Sequence, residues 1–144
     1  ILESKGRNVF SIHVDAIIAD ALQVMNENNI GALMVLDDQG NIHGIISERD
    51  VMRTCHRSQG NCRGMSVKDV MTPRAKLVVA RAEDEINDLM GAMTQNHIRH
   101  IPIVDEKDRV KGMISIGDII KAMLQEKDFH IRHLTDYIES KYPL

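Results

Sequence analysis

The sequence predicts an α/β fold of the α+β type, in which one mixed unit is written twice and each copy supplies a small sheet covered by helices. Three observations predict it. Sliding the 144-residue chain by 68 positions aligns residues 12–53 with residues 80–121 without a gap, the mark of an internal repeat. In each copy one segment carries apolar residues at three- and four-residue spacing, as an amphipathic helix does. Two further segments are short, continuous aliphatic runs of strand length.

The pairs made by the shift are specific. Ile18 meets Ile86, Asp20 meets Asp88, Met25 meets Met93, Asn28 meets Asn96, Ile30 meets Ile98 and Asp37 meets Asp105. Gly44, Ile46, Ser47 and Asp50 then meet Gly112, Ile114, Ser115 and Asp118. The first helix of the unit is "DAIIADALQVMNENN", with Ile17, Ile18, Ala21, Leu22 and Met25 on one face; its counterpart carries Ile86, Leu89, Met90 and Met93. Next come the strands "ALMVL" and "IPIV", the turns "DDQGN" and "EKDR", and the strands "IHGII" and "VKGMI". Each copy closes with Ser-x-x-Asp and a second helix, "DVMRTC" or "DIIKAML". A unit of roughly 55 to 65 residues is marginal alone, whereas two can bury their apolar faces against each other.

Residues 1–60 are therefore the first repeat, 61–73 a linker, 74–124 the second repeat and 125–144 a helical extension. Inside the linker, "SVKDVMT" reads as a short helix with Ser66 as N-cap and Asp69 three residues on. In the extension, Leu124, Ile131, Leu134 and Ile138 keep helical spacing to about Ser140. A helix whose apolar stripe outruns its own module packs on a partner, so a homodimer is expected.

Composition narrows the function. The chain has 18 Lys+Arg against 21 Asp+Glu and a net charge of −3, with its cations scattered, two Phe, two Tyr and no Trp. Nucleic acid binding needs clustered cations and, for single strands, stacking aromatics, so nucleic acid is not an expected partner. No apolar run approaches the roughly 20 residues that span a bilayer, so no membrane is expected either. A cytoplasmic protein is the expectation, although the chain starts at Ile1 and a leader upstream would be invisible. Cys55 and Cys62, in "CHRSQGNC", lack the spacing and partner ligands of a structural zinc site. They are expected to be reduced in an intracellular loop, with a redox or metal-responsive role as the alternative.

The repeated Ser-x-x-Asp has a structural explanation in the capping box: the hydroxyl accepts from the N3 amide and the acid reaches back to the N-cap amide. The same geometry suits a ligand. A helix N-terminus carries partial positive charge, and a carboxylate there can accept two hydrogen bonds from a vicinal diol such as ribose. Phosphates would then lie at neighbouring cations. Arg49 and Arg53 border the first motif, Arg99 and His100 sit in "HIRHIPIVD", and Lys5 and Arg7 lie near the start. Arg99 has Gly31 as its counterpart and Arg49 has Gly117, so two such sites are not equivalent.

The order helix, "IGALMVLDDQGNIHGIISERDVMR", linker, helix, "IRHIPIVDEKDRVKGMISIGDIIK" closely resembles a tandem pair of CBS domains, the Bateman module, in a stand-alone CBS-domain protein. The resemblance runs from about Ile1 to Leu124. It implies two β-α-β-β-α repeats packed by pseudo-twofold symmetry through their sheets, with adenosine-containing ligands in the clefts between them. It implies further that Asp50 and Asp118 hold ribose hydroxyls and that Ser47 and Ser115 contact ribose or phosphate. Adenine would lie against Val9, Ile30, Ala32 and Ile45 in one site, and against Leu77, Ile98, His100 and Met113 in the other.

The function expected is a regulatory sensor that binds AMP, ADP, ATP or NAD and passes occupancy to a partner protein or to its own oligomer. No nucleophile elbow, Gly-Lys-Ser/Thr phosphate loop or metal-spaced His/Glu pair is present, so neither an enzyme nor a catalytic cofactor or metal is expected. The competing reading is a constitutive scaffold in which Ser-x-x-Asp only caps helices.

Overall fold

The computed structural model describes residues 9–141. Along the chain run β1 (Ser11–His13), α1 (Ile18–Asn28), β2 (Ala32–Leu36), β3 (Ile42–Ser47), α2 (Glu48–Arg57), α3 (Val67–Val70) and β4 (Thr72–Pro73). A 3-10 turn (Arg74–Lys76), α4 (Ile86–Asn96), β5 (His100–Val104), β6 (Val110–Ser115) and α5 (Ile116–Lys141) follow. The first sheet has the order β1-β2-β3-β4, with β1 parallel to β2 and the other pairs antiparallel. The second pairs β5 with β6, and Ala80 bridges Ile103 in parallel.

The repeat extends to register. Ala32 faces Ser47 as His100 faces Ser115, and Val35 faces Gly44 as Ile103 faces Gly112. Both hairpins slip at corresponding points, Val35/Leu36 and Ile103/Val104. The parallel bridge of Ala80 to Ile103 repeats the pairing of Ile12 with Val35. Turn chemistry explains the matched hairpins. Asp37 Oδ1 accepts the Gln39 and Asn41 amides at 3.0 and 2.9 Å, and Asp105 Oδ1 accepts the Lys107 and Arg109 amides at 2.9 Å each. These bonds, with the Asn41 side chain on Asp37 foremost, hold both carboxyls below the usual carboxylate range.

Strand alternation sends successive side chains to opposite faces and so divides the core in three. Leu33, Val35 and Ile46 pack on Ile18, Ala21 and Met25 of α1 and Val51 of α2. Ile101, Ile103 and Ile114 pack on Leu89 and Met93 of α4 and Ile119 of α5. The opposite sheet faces meet each other: Ala32, Met34, Ile42 and Ile45 from the first repeat join Val104, flanked by Leu77, Val110 and Met113. The strands are therefore covered on both sides, which is why they read as unbroken aliphatic runs. Each fully buried Leu or Ile contributes about 1.5–3 kcal/mol. Polar clasps cross the same junction: Arg74 forks onto Asp108 through Nε at 2.9 Å, and an Arg109 guanidinium nitrogen donates to the Gln39 carbonyl. The Arg74 hydrogen bond lowers the Asp108 pKa.

Gly44 marks a close approach. A Cβ there would lie 2.2 Å from the Thr72 carbonyl oxygen, so β4 can pair with β3 only because residue 44 has no side chain. Gly44→Ala is expected to displace the two-residue β4 and cost about 1–2 kcal/mol, read as a lower midpoint in chemical denaturation. An unchanged midpoint would show that β4 contributes nothing to stability.

Two expectations change. Ser66 does precede the short helix α3 but makes no side-chain cap. It is held instead as a bridge partner of Ile17, with the flanking Val67 amide bonded to the Ala16 carbonyl at 2.8 Å. Cys55 and Cys62, expected to be reduced, are joined in a disulfide with Cα atoms 4.9 Å apart. The cause is a reversal of the chain after α2: Gln59 and Gly60 adopt φ of 54° and 93°, and the Gly60 amide returns to the Cys55 carbonyl at 2.8 Å. The two closing helices differ in length, as the helical spacing to about Ser140 expects: the second repeat has Asp128 where the first has Gly60, and α5 runs on to Lys141. Its residues Ile120, Leu124, Ile131, Leu134 and Ile138 are all exposed. No helix among the described residues is long and apolar enough to cross a membrane.

Candidate functional site

The turn from β3 into α2 is a complete capping box. Asp50 Oδ2 accepts the Ser47 amide and hydroxyl, both at 2.9 Å, while Ser47 Oγ accepts the Asp50 amide at 3.3 Å. The turn from β6 into α5 repeats it: Asp118 Oδ2 accepts the Ser115 amide at 2.8 Å and hydroxyl at 3.0 Å. Capping is thus real in both copies. At the first, the second carboxylate oxygen, Oδ1, receives the Thr72 hydroxyl at 3.4 Å. A carboxylate has about four lone-pair sites and three are used here, so Asp50 keeps one toward a ligand hydroxyl and gains a second where the Thr72 hydroxyl turns away.

Asp50 opens onto a cleft of about 380 Å³. Ala32, Ile45, Ser47, Arg49, Asp50 and Arg53 line it from the first repeat; Leu77, Ile98, Arg99 and His100 line it from the second. Thr72, at the end of the linker, and Lys76, at the start of the second repeat, close it. Its floor is the inter-sheet core and its mouth is polar. This corrects the grouping expected from sequence, which drew each apolar wall from a single copy. Because the sheets meet face to face, each cleft takes one wall from each repeat. Ala32 and Ile45 thus stand with Leu77, Ile98 and His100, while Val9 and Met113 pack at the inter-sheet core. Ile30 lines an adjoining groove of about 550 Å³ with Arg99, His100 and Ser115. Lys5 and Arg7 lie outside the described residues.

The composite wall also adds up what looked like opposed asymmetries. Arg49 comes from one repeat and Arg99 from the other, yet both border the same cleft. Of their counterparts, Gly117 does not line this cleft, and Gly31, which does, brings no charge. Arg53 and Lys76 bring the cations of the first cleft to four, where the corresponding positions hold Lys121 and Asn8. Four cations beside one lining carboxylate favour an anionic ligand.

Two of the cations are positioned by the protein. Arg49 donates to the His97 carbonyl at 2.7 Å, which His97 presents because it ends α4 in the left-handed region at φ 53°. Arg99 pairs with Glu48 Oε1 at 2.9 Å. Each contact occupies part of a guanidinium fork that carries five donors. Sequence reading missed Thr72, Lys76 and His97. None lies in the repeated motif, though Lys76 faces Asn8 under the shift and that loss of charge was legible.

Comparison with known proteins bears on this site. The CBS domain family matches residues 6–57 and 67–125. A curated relative, the mitochondrial CBS domain-containing protein CBSX3 of Arabidopsis thaliana, is 33% identical over 99% of this chain and 71% of its own length. The crystal structure of the CBS-domain protein ATU1752 from Agrobacterium tumefaciens matches with a TM-score of 0.79 and 35% identity, covering 85% of this chain and 94% of that one. The structure of CBSX2 in complex with AMP shares the fold at 24% identity and a TM-score of 0.69, over 83% of this chain and 90% of that one.

Proposed function

The chain belongs to the CBS domain family and holds two such domains, and from that premise we propose that it is a regulatory module sensing an adenosine-containing, phosphorylated ligand in the first cleft. The observation that carries this reading is the meeting, in one composite cleft, of Asp50 at a helix N-terminus with Arg49, Arg53, Lys76 and Arg99. Asp50 would accept the ribose hydroxyls, Ser47 would contact ribose or phosphate, and the cations would take the phosphates. Ala32, Ile45, Leu77 and Ile98 offer an aliphatic slot to the purine. AMP, bound by the CBSX2 relative, is the first ligand to test, with ADP, ATP and NAD beside it. In the second cleft Ser115 and Asp118 would hold the sugar, with His100, Ile30, Val9 and Met113 around it.

We assign the module no catalytic role. Both cleft motifs begin helices, α2 and α5, so occupancy reaches the exposed apolar stripe of α5 and, through it, a second copy of the chain or a partner protein. A ligand shifts such an equilibrium only through different affinity for the two states. One observation favours the scaffold reading instead: Arg49, Asp50 and Arg99 already have protein partners.

Thermal melts separate the two. At 100 times Kd a ligand that binds only the native state adds about 2.7 kcal/mol. A rise of the melting temperature with AMP, ADP, ATP or NAD is expected, with sedimentation of the same samples reporting assembly. No shift at millimolar concentration with any of them would leave the scaffold.

A further inference from the structure

Resting on the nucleotide reading above, we infer that Glu48 sets the specificity of the first cleft by competing with the ligand's phosphate for Arg99, so that affinity for phosphorylated ligands is held down relative to the bare nucleoside. Three positions build this arrangement, and none is repeated. The Glu48 carboxylate reaches Arg99 at 2.9 Å, across the junction between repeats. It lies over Gly31, where a Cβ would meet Glu48 Oε1 at 3.1 Å, so the missing side chain makes room for it. The counterparts of Glu48, Gly31 and Arg99 are Ile116, Arg99 and Gly31, and an isoleucine cannot take an arginine's charge.

Position makes Glu48 a competitor rather than a bystander. It is the first residue of α2, one after Ser47 and two before Asp50, and lines the adjoining groove, which shares Arg99 with the cleft whose cations would take the phosphates. The pair is also exposed, at 58% for Glu48 and 49% for Arg99, and exposed ion pairs are weak enough to exchange. A phosphate brings more charge and several acceptor oxygens to the guanidinium fork and displaces the carboxylate. Adenosine asks for no such exchange. The carboxylate thus taxes each phosphorylated ligand twice, through the Arg99 bond and through its own repulsion of the phosphate.

Isothermal titration of wild-type and Glu48→Gln protein with AMP, ATP and adenosine tests this. Gln keeps the size of the side chain and removes its charge. The expected result is an affinity gain of about two- to fivefold for AMP and ATP, none for adenosine, and a smaller gain at high salt. In an Arg99→Gln background the gain from Glu48→Gln should shrink to the part due to Glu48's own repulsion of the phosphate, since the partner being released is gone. Unchanged AMP affinity in Glu48→Gln overturns the inference, as does an equal gain for adenosine or an undiminished gain without Arg99. Wild-type protein that binds none of the three ligands removes the nucleotide reading itself.

Discussion

Asp50→Ala is expected to lower AMP affinity about 100-fold, while Asp118→Ala leaves binding in the first cleft within a few-fold of wild type. Asp50 would accept two ribose hydroxyls, one of them in place of the Thr72 hydroxyl at 3.4 Å, and hydrogen bonds to a charged acceptor contribute about 1.5–3 kcal/mol each. Losing the pair removes about 3 kcal/mol, and every 1.4 kcal/mol is tenfold in Kd. Stability provides the internal control. Both acids close the same capping box, with the serine amide and hydroxyl at 2.8–3.0 Å, so both variants should lose about 1 kcal/mol of folding stability. Equal loss of stability with unequal loss of AMP binding separates a cap that also serves a ligand from a cap alone. If both variants melted lower yet bound AMP normally, capping would be the whole role of the motif.

Opening the Cys55–Cys62 disulfide is the second large effect. The bond closes a short loop, with a sequence separation of 7, and the chain-entropy relation gives about 2.5 kcal/mol for such a loop at 25 °C. For a chain of this size that corresponds to a melting temperature lower by about 5–8 °C. Dithiothreitol should produce this drop in the wild type and none in a Cys55→Ser/Cys62→Ser variant, with mass spectrometry counting thiols. Two free thiols before any reductant is added would return the pair to the reduced state expected from their context. Cys62 is buried at 3% exposure, so losing the bond also leaves two thiols in a packed setting next to the first core. The corresponding positions in the second repeat are Met123 and His130, which makes the crosslink a property of α2 and the cation-rich side alone.

The duplication made much of the fold legible. Helical spacing located α1 and α4, aliphatic runs located β2 and β5, and Ser-x-x-Asp located the starts of α2 and α5, because these signals are local and each was written twice. The length of α5 was legible in the apolar residues Leu124, Ile131, Leu134 and Ile138. The disulfide was misread. Six residues between cysteines look like an ordinary loop until Gln59 and Gly60 reverse the chain, and that reversal rests on two positive φ angles that no periodicity reports.

Sequence by itself determined that this protein is two copies of one sheet-and-helix unit, with two capped helix starts whose neighbours differ in charge. Only the tertiary structure decided which of those neighbours share a cleft. The sheets pack through the faces that carry Ala32, Met34 and Ile45, so the wall opposite Asp50 is built from Ile98, Arg99 and His100, about fifty residues away. Local pattern fixes which face of a strand is apolar, but not which second face covers it. That choice placed Arg49 and Arg99 together and turned two single-residue differences into one cation-rich cleft.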